Sequence, residues 1–166
     1  MFLCYNDTRK QERNEQTMKT IWFDMDGTIA NLYAVENWLS MLRAEDPTPY
    51  AIAHVMHNMS LLARYLNKVQ KRGYRIGIIS WLSKCSTPNY DEAVTFAKIT
   101  WIKKHLSSVK FDEINIVAYG TPKEQFMETE NDILFDDEEK NRINWGGTAY
   151  EPCDIMQVLK ELVQGE

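Results

Sequence analysis

The sequence predicts an α/β fold, a parallel sheet covered on both faces by helices. Three observations lead there. Short apolar runs rich in β-branched and aromatic residues recur along the chain and read as buried strands. Stretches with helical spacing separate them, and strands joined through helices pair in parallel. Polar residues capable of chemistry stand at or just after the ends of these runs, where open parallel sheets bind their ligands.

The elements follow in order. Ile21–Asp24, inside IWFDMDGTIA, is the first strand. Ala34–Arg43 (AVENWLSMLR) has helical spacing and ends before the break EDPTPY. A second helix is expected over Tyr50–Lys71, with Leu61, Leu62, Leu66 and Val69 as apolar positions and Gly73 as its C-terminal cap. Tyr74–Ser80 (YRIGIIS) is the second strand, Glu92–Leu106 the following helix and Ile114–Tyr119 the third strand. Asp132–Phe135 is the fourth strand and runs into Asp136 and Asp137. Asp154–Val163 closes the chain as a helix. No internal repeat or low-complexity tract interrupts this series.

Composition narrows the function. The chain has 166 residues, enough for one domain with a substantial core. The domain is expected over residues 18–166. Residues 1–17 read as a polar, disordered leader dispensable for folding, because Asn6 to Gln16 carries no apolar face. MFLCY is too short for the apolar core of a secretory signal, and no apolar run reaches the roughly 18 residues of a membrane span. A net charge of −5 gives no basic footprint for long nucleic acid or an anionic membrane. Cys4, Cys85 and Cys153 are far apart, in neither metal-like nor paired spacing. They read as free thiols in a reducing compartment, the cytoplasm.

Asp24 and Asp26 are unusual at the end of an apolar run. Like charges there repel and lose hydration, so a core has no use for them without compensation. The expected topology brings Asp24 and Asp26, Ser80, Lys123, and Asp136 with Asp137 to one sheet edge from four strands. Clustered carboxylates suit a hard cation such as Mg²⁺, commonly shared with a phosphate. Ser80 and Lys123 can hold phosphate oxygens, as a hydroxyl donor and as a point charge. A metal-neutralised aspartate can attack phosphorus, and a second carboxylate two residues on can protonate the leaving oxygen and later activate water. Gly27 permits the turn that aims both.

DMDGT at 24–28 resembles the DxDGT signature of the haloacid dehalogenase (HAD) superfamily of phosphohydrolases. The serine after an apolar strand (IGIIS), the lysine (TPK) and the acid pair (ILFDD) arrive in the family's order, across about residues 19–140. The resemblance implies a Rossmann-like, HAD-like fold in which Asp24 is nucleophile and Asp26 acid/base. It implies that Ser80 and Lys123 bind phosphate. Mg²⁺ ligands would be Asp24, the Asp26 backbone carbonyl and Asp137, with Asp136 auxiliary and Asn141 in support. FAKITWIKKHL and the strand and acid pair after it are similar to the 5′(3′)-deoxyribonucleotidases, which implies a nucleoside monophosphate substrate. The short stretch from Asp26 to Ser80 leaves room for a minimal helical cap only, within residues 32–72. In place of the Thr-Ser-Pro of those enzymes this chain has Ile79-Ser80-Trp81.

Two alternatives remain. One is a HAD-like module that binds phosphate without turnover; the other is a phosphatase of polynucleotide ends, disfavoured by the acidic balance. Elsewhere the plain readings lead. His54 and His57 are solvated or packing histidines, His105 complements a helix dipole, and Trp38, Met41, Met56 and Met59 pack a core. Tyr33 and Trp81 directly follow motif residues or stand near them and could stack a flat group.

Overall fold

A computed structural model of the chain describes residues 18–165; the expected leader, residues 1–17, lies outside the described residues. The elements are β1 (Thr20–Phe23), β2 (Ala30–Asn31), a 3-10 turn (Leu32–Ala34), α1 (Trp38–Arg43), α2 (Thr48–Ile52), β3 (His54–Val55) and α3 (Met59–Lys71). There follow β4 (Arg75–Trp81), α4 (Pro88–His105), β5 (Glu113–Val117), a 3-10 turn (Lys123–Phe126) and β6 (Ile133–Phe135). The chain continues through α5 (Glu139–Asn144), β7 (Thr148–Tyr150), a 3-10 turn (Pro152–Asp154) and α6 (Ile155–Gln164).

Five strands form one sheet in the order β5-β4-β1-β6-β7, every pair parallel. β1 lies at its centre and is buried throughout, as a strand covered on both faces must be. Ile21 and Phe23 pack with Leu62, Leu66 and Val69 of α3 and with Ile155 and Leu159 of α6. On the opposite face Trp22 packs with Ile79, Leu134 and Trp145. Each such apolar side chain contributes about 1.5–3 kcal/mol when fully buried. Gly77 of β4 makes room for the Trp22 ring, because a β-carbon there would fall on it. Asp132, just before β6, ties the sheet's entry: it accepts from the Thr20 amide at 3.0 Å and the Glu128 amide at 2.9 Å.

The four expected strands are all present, shifted by one or two residues. Several elements escape the sequence pattern, β7 and α5 among them. β7 is a three-residue edge strand, too short for any period, and α5 has only Asn141 buried, so neither shows an apolar rhythm. The long helix expected over Tyr50–Lys71 is broken. His54 and Val55 leave the helical path to pair antiparallel with Ala30 and Asn31. Asn58 then starts α3 as a true N-cap, accepting from the Leu61 amide. Ala34–Arg43 is helical only from Trp38, after Asn37 adopts a left-handed conformation. Gly73 ends α3 as expected, at φ +91°.

α3 therefore belongs to the layer beneath the sheet, not to a cap. Between β1 and α3 stand the short α1–α2 excursion and the β2–β3 pair, the segment expected to hold a cap; α1 and α2 border a cavity with Asp24, Asp26 and Trp81, and α2 packs on α4.

Candidate active site

Asp24 continues the ladder past β1, its amide donating to the Phe135 carbonyl at 2.8 Å. The chain then closes a tight loop in which Met25 accepts from the amides of Ile29 and Ala30. Gly27 makes this loop possible. Its φ is +83°, and a β-carbon would lie 2.5 Å from Asp137 Oδ2 and 2.7 Å from the Tyr33 ring. His57 reaches across from the cap to donate through Nε2 to the Thr28 carbonyl at 2.8 Å, a structural tie rather than a solvated side chain.

The structure brings all six expected residues to the carboxyl edge of the sheet, and each of the two catalytic candidates has its own lysine. Lys123 Nζ lies 2.6 Å from Asp24 Oδ1 and 2.6 Å from Asp136 Oδ2. Lys98 Nζ lies 2.5 Å from Asp26 Oδ2. Thr28 Oγ1 donates to the second oxygen of Asp24 at 3.2 Å. Asp136 is fully buried and held further by the Glu138 amide at 2.9 Å and the Asn141 amide group at 3.2 Å. Arg142 donates to the backbone carbonyls of Asp136 and Asp137, pinning the acid pair from behind.

Asp24, Asp136 and Asp137 each present an oxygen within 4.8 Å of the others. Among the described residues no side chain donates a hydrogen bond to the Asp137 carboxylate. Burial, then the charges of Asp24 and Asp136, push that group up to about 7. Burial and Asp24 likewise raise Asp136, against the pull of Lys123. Burial also raises Asp26, with Lys98 opposing it. At Lys123 burial works against the charge, but Asp24 and Asp136 outweigh it and hold the ammonium above its ordinary range. Three carboxylates against one lysine leave an excess of two negative charges when all are ionised. An oxygen-only donor set with that excess fits a divalent hard cation. Asp26, engaged by Lys98, keeps its side chain outside the cluster.

The expected phosphate contacts fare differently. Lys123 borders the cavity above the acids and, with two acceptors engaged, retains one donor. Ser80 is fully buried and does not border the cavity; its Oγ accepts from Lys98 at 2.8 Å. It keeps its own proton to donate, but a phosphate contact requires local movement.

The cavity holds about 430 Å³ over Asp24, Asp26 and Lys123. Its walls are Tyr33, Trp38 and Leu42 from the cap side and Tyr50, Trp81 and Tyr119 beyond them. Tyr33 and Trp38 meet edge-on at 5.2 Å, and Trp81 and Tyr119 tilt together at 5.2 Å. Tyr33 and Trp81 both border the cavity. Trp38, expected in a core, lines the cavity as well as packing with Leu32 and Tyr50. His105 also departs from expectation: burial and Lys104 lower it, and its ring lies 4.5 Å from that of Trp101.

Sequence reasoning missed Lys98, Arg142 and the aromatic Tyr50 and Tyr119. A signal for Lys98 existed. It stands four residues after Val94 and three before Trp101, on the buried face of α4, where a lysine needs a partner.

No protein-family model matches the chain, and no curated protein matches it. Among solved structures, the chain resembles the D,D-heptose 1,7-bisphosphate phosphatase from Burkholderia thailandensis at 12% identity, with a TM-score of 0.55. That match covers 87% of this chain and 98% of the other. It also matches the HAD domain of the effector protein Lem4 from Legionella pneumophila, at 14% identity and a TM-score of 0.43, over 89% and 94% of the two chains. The protein shares the fold of the D,D-heptose 1,7-bisphosphate phosphatase, a parallel sheet flanked by helices.

Proposed function

We propose that the protein is a divalent-cation-dependent phosphomonoester hydrolase that works through an aspartyl-phosphate. The observation that carries this reading is the pairing of Asp24 and Asp26 with separate lysines, while Asp24 alone of the two joins Asp136 and Asp137. Two carboxylates two residues apart are thereby given different environments and different work.

Asp24, Asp136 and Asp137 are the residues that would hold the cation, Mg²⁺ being the expected one, with the Asp26 backbone carbonyl in support. When bound it supplies charge neutralisation for the phosphate and the nucleophile. Asp24 attacks phosphorus, the bond to the leaving oxygen breaks, and Asp26 delivers its proton to that oxygen. Water then attacks the phosphoryl group on Asp24, giving its proton to Asp26, and inorganic phosphate leaves. Lys123 steadies the phosphate oxygens, and Ser80 joins it if the strand end opens.

The aromatic walls support a small monoester bearing a flat group, a nucleoside 5′-monophosphate being the substrate class that fits best. Burial, reinforced by nearby carboxylates, pushes the phenols of Tyr33 and Tyr50 up, so both remain neutral stacking and packing surfaces. Cys85 and Cys153 are free and exposed, which supports the cytoplasm as its compartment. Among the described residues no helix is long and apolar enough to cross a membrane.

The test is phosphate release from aryl phosphates, nucleotides, sugar phosphates and a 3′-phosphorylated oligonucleotide with Mg²⁺ present, run beside Asp24→Asn. Release from nucleotides that disappears in the variant is the expected result. No release from any substrate would favour phosphate binding without turnover.

A further inference from the structure

Lys98 is an unusual residue that the catalytic scheme does not use. Its side chain is fully buried in the middle of α4, yet it reaches the site from beneath. Its Nζ lies 2.5 Å from Asp26 Oδ2, 2.8 Å from Ser80 Oγ and 2.7 Å from the Trp81 carbonyl. A lysine ammonium has three N–H donors and no acceptor. All three are taken, so Lys98 has nothing left to offer a phosphate. The Tyr50 ring, 4.7 Å from Nζ, stands beside the ammonium and borders the cavity. Two of the three anchors, Ser80 and the Trp81 carbonyl, belong to β4, a central strand of the sheet. The third, Asp26, sits on the loop after β1, where its backbone bridges only to Ala30 at the start of β2 and its side chain has Lys98 as its partner.

We propose that Lys98 is a positioning residue for the acid/base carboxylate, locking Asp26 to the end of β4 so that it faces the leaving-group oxygen and stays out of the cation cluster. This role rests on the phosphatase reading above. Ser80 serves in the same device by fixing the ammonium that fixes Asp26. A lysine that merely filled the core would be replaceable by an apolar side chain of similar length. A positioning lysine would not be, because Asp26 would then be free to turn toward the cation held by Asp24, Asp136 and Asp137.

The experiment compares kcat/KM of the native protein, Lys98→Met and Lys98→Gln on two substrates with Mg²⁺, 4-nitrophenyl phosphate and an alkyl phosphate. kcat/KM reports the steps up to formation of the aspartyl-phosphate, where a nitrophenolate leaves without help and an alkoxide needs a proton. The expected result is a loss of about 100-fold or more on the alkyl phosphate against less than about tenfold on the nitrophenyl ester. Lys98→Gln keeps two N–H donors on a side chain one atom shorter, serves where Lys98→Met fails to fold, and should fall between Lys98→Met and the native protein. Equal losses on both substrates in a folded variant would overturn the role and leave the phosphatase reading standing. Absence of turnover in the native protein would overturn that reading, and the role of Lys98 with it.

Discussion

At the scale of single residues, two aspartates of the same type are separated by what lies beside them. Asp24 shares Lys123 with Asp136 and joins Asp136 and Asp137 in the acid cluster; Asp26 is turned to Lys98. Asp24→Asn should therefore lower phosphate release by about 10⁴-fold or more while leaving the circular dichroism spectrum unchanged. Gly27 is the other residue on which the site turns. Gly27→Ala adds left-handed strain of about 1–2 kcal/mol and a methyl group against Asp137 and Tyr33. It should weaken Mg²⁺ binding, read by titration calorimetry, more than it lowers the thermal midpoint. Unchanged metal affinity would mean that Asp137 is not held where the cluster needs it. The DxDGT pattern made Asp24, Asp26 and Gly27 legible because their spacing is local. Lys98 is distant from Asp26 in sequence, and only its odd place on an apolar helix face hinted at it.

At the scale of elements, the legible parts were those with a strong period or a clear boundary. β1, β4 and β6 are apolar runs bounded by polar residues, and the Gly73 cap closes α3 at a left-handed φ. The stretch from Tyr50 to Lys71 misled because its helical rhythm continues through His54 and Val55. Pairing with Ala30 and Asn31, which follow the loop after β1, overrode that rhythm. Packing between sheet layers makes a further demand, at Gly77. Gly77→Ala should destabilise by about 1–3 kcal/mol in urea unfolding, because Trp22 is fully buried and its ring has nowhere to go. A neutral outcome would mean that the Trp22 ring can repack.

At the scale of the whole molecule, the site is a concentration of negative charge that folding itself must tolerate. Asp137 rises from 3.8 to about 7 on folding, and Asp26 and Asp136 shift the same way. A carboxyl raised in the folded state favours folding fully below its unfolded value, about 4, and loses that contribution as pH climbs through about 7. Without divalent cation, the thermal midpoint should therefore fall between about pH 5 and about pH 8. Mg²⁺ binds the ionised form, so its stabilisation should be larger at the higher pH, reaching about 2.7 kcal/mol at a hundredfold excess over Kd. A midpoint insensitive to both pH and Mg²⁺ would mean that the acid cluster is not a cation site.

The sequence by itself determined the class of fold and the identity of the acids, because both follow from local patterns: apolar runs of strand length, and carboxylates at fixed offsets from a glycine turn. It also determined that Ser80 and Lys123 would arrive at the same edge, since parallel strands deliver their ends together. Tertiary structure alone decided what those residues touch. It gave Lys123 to Asp24 and Asp136, covered Ser80, and drew Lys98 up to Asp26. It likewise assembled the aromatic walls from the cap, the end of β4 and the loop after β5. The physical reason is the same in each case. A buried charge takes the partner that the packing of distant segments brings within hydrogen-bond reach, and sequence spacing does not encode that distance.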